Sequence, residues 1–61
     1  MFIKLTDCMT QIPMYYNFDK VISFEEEIED GKFNYTILHT TVGNSAVLER
    51  ARDIYLKLEA K

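Results

Sequence analysis

The dipeptide Asp30-Gly31 stands between two alternating runs, and it constrains this chain more than any other feature. A two-residue Asp-Gly loop favours a type I′ turn, because both central residues need positive φ and glycine takes it without strain. Counting outward from that loop sets a register. Glu29 faces Lys32, Ile28 faces Phe33, Glu26 faces Tyr35, Phe24 faces Ile37 and Ile22 faces His39. The last four pairs share a largely apolar face. Glu27 with Asn34, Glu25 with Thr36, Ser23 with Leu38 and Val21 with Thr40 make the mostly polar face. A slip of one residue would mix the two sets, so the pattern specifies the register.

The rest of the chain is read around this hairpin. Residues 2–6 alternate weakly and predict a first strand with Ile3 and Leu5 on one face. Residues 11–16 predict a second strand. Pro13 lacks a backbone donor, so that strand lies at an edge or starts late. Residues 21–29 and 32–42 are the central pair. Gly43-Asn44 reads as a II′ turn leading to a fifth strand over 45–49, with His39 facing Leu48 and Thr41 facing Ala46. The competing reading makes Asn44 or Ser45 a helix N-cap. The hairpin is the preferred one. Residues 50–60 predict a helix with Ala51, Ile54, Tyr55 and Leu58 on one face and Leu56 opposite. Asp53 precedes Lys57 by four residues, the favourable order for a helical ion pair. The expectation is an α+β domain, a four- or five-stranded antiparallel meander with one C-terminal helix.

Sixty-one residues make one small domain, which buries only about 60% of its unfolded surface. With 48% hydrophobic and 28% charged residues, the composition is that of a folded chain. Cys8 is the only cysteine, so no internal disulfide forms and a reduced, cytoplasmic setting is expected. The opening Met1-Phe2-Ile3-Lys4 does not look like a signal peptide. No run is long enough to span a membrane as a helix. The net charge is −3, with acids concentrated in residues 1–30 and bases in residues 31–61. An acidic first half argues against duplex DNA as a partner.

The order strand–strand–hairpin–strand–helix, opened by Ile3-Lys4-Leu5-Thr6, resembles the small FlbD-type proteins. Tyr16-Asn17-Phe18-Asp19-Lys20-Val21-Ile22 and Val47-Leu48-Glu49, leading into a helix over 52–58, carry the rest of the resemblance. These are bacterial flagellar accessory proteins of about sixty residues, with phage-borne relatives. This chain departs from them in its first turn, Asp7 to Thr10, and in having Arg50 where a serine usually precedes the helix. The resemblance implies the fold and its fifth strand. It implies no catalytic residue.

No nucleophile–base pair, Gly-rich phosphate loop or metal cluster stands in the sequence, so the expectation is a protein that is not an enzyme and needs no cofactor. His39, the only histidine, is read as a structural residue on the core face beside Ile22. Cys8 is read as an ordinary thiol, and Glu26 as the odd acid on the apolar face. Tyr15 and Tyr16 point to opposite faces, so at least one is available for an interface or for base stacking. Arg50 and Arg52 lie where basic side chains can hold a phosphate beside a helix N-terminus. Tyr15, Tyr16, Arg50 and Arg52 are therefore the candidate ligand-binding residues. The expected job is sequestering or occluding a host target, either a host protein or a phosphate-bearing nucleotide, as a phage-borne protein would. The alternative is a flagellar-type accessory role through protein contacts. A homodimer is expected, because the core is small and Met14, Leu38, Val42 and Leu56 read as exposed apolar surface, with Met14 and Leu56 at the interface.

Overall fold

The computed structural model describes residues 1–60. Five antiparallel strands and one helix follow in order: β1 (Phe2–Thr6), β2 (Pro13–Asn17), β3 (Val21–Glu29), β4 (Lys32–Thr40), β5 (Gly43–Val47) and α1 (Ala51–Glu59). They form a two-stranded sheet, β1-β2, and a three-stranded sheet, β3-β4-β5. The α+β meander with its fifth strand and C-terminal helix is thus the observed architecture.

The two sheets meet at one corner. Asp7 bridges Val47, with Cys8 N–H donating to Ala46 O at 2.9 Å and Leu48 N–H to Thr6 O at 3.0 Å. Ile3, Leu5, Leu38, Val47 and Ile54 fill the space between the sheets and the helix, with Tyr16, Phe18, Phe24 and Leu58 packed against them. Phe18 and Phe24 meet edge to face, their ring centroids 6.3 Å apart.

Asp30 and Gly31 both have positive φ, 52° and 76°, as the expected turn requires. Glu29 pairs with Lys32 and Ile28 with Phe33 as counted from the loop. Beyond them the register departs from the count. Asn34 bulges out of β4, and Phe24 then faces Leu38 while Glu26 faces Thr36. Ile22 bulges out of β3, which restores Val21 opposite Thr40. An extra residue reverses the in–out phase of a strand. Phe33, Thr36 and Leu38 therefore lie on the core side of β4, while Tyr35, Ile37 and His39 lie on the other. Leu38, expected on the polar face, is fully buried, and so is Thr36. Ile22, expected inside, is 73% exposed.

The next turn also differs. Thr41-Val42 is the loop, and Gly43 with Asn44 opens β5, so His39 pairs with Asn44 and Ala46 with Ile37. Thr40 fixes this tighter loop: its hydroxyl donates to Gly43 O and accepts from Val42 N–H at 3.2 Å. Gly43 takes φ 131°, a conformation open to glycine. The strands end accordingly at Thr40 and Val47, short of residues 42 and 49.

Three carboxylates order the remaining chain. Asp7 accepts from Met9 and Thr10 N–H at 3.1 and 2.9 Å and closes the first turn, so β2 begins at Pro13 and not at residue 11. Glu49 accepts from Thr6 N–H at 2.9 and 3.0 Å and from its hydroxyl at 2.9 Å, which caps the edge of β1. Glu26 receives the start of the helix, as described next.

Candidate functional site

The helix begins without help from its own cap residue. Arg50 has an extended backbone and makes no side-chain cap. Glu26 supplies the acceptor from β3: its Oε2 takes Ala51 N–H at 2.9 Å. The same carboxylate holds Arg50 twice, Nε at 3.1 Å and Nη2 at 3.0 Å. The guanidinium lies over the Phe33 ring, 4.4 Å from its centroid. Buried Thr36 donates its hydroxyl to Glu49 O at 2.6 Å, just before the helix. The Arg50 hydrogen bonds, then Ala51 N–H, hold the Glu26 carboxyl below its ordinary pKa, and Glu26 raises that of Arg50.

Arg50 and Arg52, the residues expected to hold a phosphate, have partners within the chain. A carboxylate of the chain itself occupies the anion position at the helix N-terminus. Arg50 is engaged by it, and Arg52 points outward with Asp53 Oδ1 3.9 Å from its Nε. Nor do these arginines meet the tyrosines. Tyr16 turns inward, its hydroxyl 3.5 Å from Asp7 Oδ1. Burial, then the charge of Asp7, raises the Tyr16 pKa.

Tyr15 does face solvent, at 67% exposure. It pairs with Lys4 across β1-β2, and Phe2 is paired with Asn17 two residues along the same face. Phe2 and Tyr15 are therefore diagonal neighbours, with roughly 7–8 Å between strand positions. Phe2 is 58% exposed. The C-terminal end of α1 forms the other wall: Lys57 Nζ donates to Lys4 O at 3.1 Å. Phe2, Ile3, Lys4, Tyr15, Lys57 and Ala60 enclose an open groove of about 300 Å³. Two exposed aromatic residues and two lysines line it, and no acidic residue does.

Of the residues lining this groove, only Tyr15 is among the candidates expected from the sequence. The strand alternation that put Ile3 and Leu5 inside also placed Phe2 and Lys4 outside, and that signal was readable. Lys57, expected to pair with Asp53 along the helix, reaches instead across 53 residues to Lys4.

The remaining candidates are dispersed. His39 is not on the core face: its Nε2 lies 3.0 Å from Glu25 Oε1 on the open face of the three-stranded sheet. Cys8 is half-buried beside Ala46. Met14 and Leu56 are exposed, on β2 and α1 respectively. Among the described residues no group of three His, Cys, Asp or Glu side chains is placed to hold a metal ion. No described helix is long and apolar enough to cross a membrane. No family model, curated protein or solved structure matches the chain.

Proposed function

We propose that this chain is a small binding protein, without an enzymatic role, that sequesters a phosphate-bearing nucleotide in the groove between β1-β2 and the end of α1. The observation that carries this reading is the exposed Phe2–Tyr15 pair flanked by Lys4 and Lys57. A base stacks on either ring whatever its identity, a contact worth about 1–3 kcal/mol per base. The two ammonium groups supply the charge that a phosphate needs. The groove is shallow and open, so it suits capture of a ligand more than enclosure of a reaction.

Thermal unfolding with a panel of linear and cyclic nucleotides tests the reading. A ligand at 100 times its Kd adds about 2.7 kcal/mol and raises the midpoint. Phe2→Ala and Lys57→Ala should each reduce that rise. A midpoint unmoved by every nucleotide removes the proposal.

A second reading, a flagellar-type accessory protein working through protein contacts, is favoured by Tyr55 and Leu56. Both are more than half exposed on the outer side of α1. Leu56→Asp would then abolish the accessory function in cells while leaving nucleotide-induced shifts unchanged.

A further inference from the structure

The outer edge of β2 has a hydrogen-bonding pattern that complements itself. Phe18 N–H donates to Met1 O at 2.8 Å, and Asp7 N–H to Ile12 O at 3.1 Å. These two bonded pairs set the phase of the β1-β2 ladder, so Ile3–Tyr16 and Leu5–Met14 are bonded pairs as well. The backbone groups of Pro13, Tyr15 and Asn17 consequently point away from β1. Two of them are already accounted for. Pro13 has no N–H to offer, and Asn17 O accepts from Lys20 N–H at 3.1 Å.

We infer that a second copy of this chain pairs with β2 antiparallel, about a two-fold axis at Tyr15. Tyr15 then faces the partner's Tyr15, and the two exchange both backbone hydrogen bonds. Pro13 faces the partner's Asn17. The missing donor of Pro13 falls opposite the carbonyl that Lys20 already occupies, while Asn17 N–H meets the partner's Pro13 O. Four hydrogen bonds form, and every position without a donor meets an acceptor that needs none. A register shifted by two residues loses this match.

Charge selects the same edge. β2 reads Pro-Met-Tyr-Tyr-Asn and carries no charge. The edge strand β3 carries Glu25, Glu26, Glu27 and Glu29, so two copies repel there. β5 pairs with β4 along one side, and the bridge from Asp7 to Val47 covers the C-terminal end of its other side. Beside the β2 edge an opening of about 220 Å³ runs between the sheets, bordered by Tyr16, Lys20, Val21, Leu38 and Val42. The pairing brings the partner's Met14 next to Tyr16 over that opening. It covers Met14 and Val42, the latter 87% exposed in the single chain. The interface stands on β2 alone and does not depend on a nucleotide in the groove.

Light scattering after size exclusion, without nucleotide, reads the first outcome. The expected mass is twice 7.2 kDa; a mass of 7.2 kDa at about 100 μM overturns the inference, a concentration ample for a specific dimer. Because Tyr15 meets itself, Tyr15→Glu and Tyr15→Lys should each give monomers, since like charges directly opposite are destabilising. Mixed together, they should return to a dimer. A Tyr15→Glu protein that stays dimeric, or a mixture that stays monomeric, overturns the pairing. Hydrogen exchange of the unmutated protein supplies the check that needs no variant. The Tyr15 and Asn17 amides should gain protection as concentration rises; equal exchange at all concentrations also overturns it. Leu56→Glu should leave the mass unchanged, because the helix takes no part.

Discussion

Glu26 caps a helix that begins 25 residues after it: its carboxylate accepts Ala51 N–H at 2.9 Å. The acid that looks misplaced on an apolar strand face is thus the group that docks α1 onto β3. A β-strand residue does here what Ser, Thr or Asp does within an ordinary helical sequence.

Glu26→Ala should therefore destabilise the fold, because Ala51 N–H loses its acceptor. Glu26→Gln keeps an acceptor and should cost less. Arg50→Ala should cost less than Glu26→Ala, because the guanidinium is half open to solvent and its ion pair is screened. Urea unfolding of the three variants gives the order. An Arg50→Ala loss larger than that of Glu26→Ala would show that the ion pair, and not the cap, joins helix to sheet.

This relationship also marks where the sequence ceased to be readable. The type I′ loop follows from Asp30-Gly31 because local backbone preference decides it. The edge position of β2 follows from Pro13 for the same reason. The β3-β4 register does not, because the bulges at Asn34 and Ile22 serve distant partners. The Asn34 bulge turns Thr36 and Leu38 inward, so that Thr36 can hold Glu49 O and Leu38 can join Val47 and Ile54. Neither need is visible in the alternation of residues 21–42. Its place before a helix, where an anion is attractive, makes Arg50 read as a phosphate-binding residue. Its anion came from Glu26, and only the tertiary fold brings the two together. Of the groove, Tyr15 and the outward phase of β1 were legible; the arrival of Lys57 at Lys4 was not.

Thr36→Val tests the second tie at the helix start. The substitution keeps the shape and removes the hydroxyl that donates to Glu49 O at 2.6 Å. Thr36 is fully buried. The part-buried Glu49 carbonyl then loses its donor, a loss of about 1–3 kcal/mol. A urea midpoint that does not move would mean that Glu49 O finds another donor.

Gly31→Val should destabilise by more than about 1 kcal/mol, because a β-branched residue resists φ 76°. Space is not the cause, since a Cβ at Gly31 meets no atom within 4 Å. Gly31→Asn, which tolerates the left-handed region, should cost less than valine. Equal losses for the two variants would refute the backbone explanation.

Acid should weaken the fold through two named carboxylates. The Arg50 hydrogen bonds lower the Glu26 pKa, and the Thr10 N–H lowers that of Asp7. A carboxyl whose folded pKa lies below its unfolded one binds fewer protons in the native state. Its stabilisation is complete above the unfolded value, about 4, and is lost as pH falls through the depressed folded value. The urea midpoint should thus hold steady from pH 7 to about pH 5 and decline below about pH 4. Glu26→Gln removes one of the two groups, so its midpoint should start lower at pH 7 and fall less steeply in acid. Parallel curves for Glu26→Gln and the unmutated protein would show that Glu26 contributes nothing to the acid response.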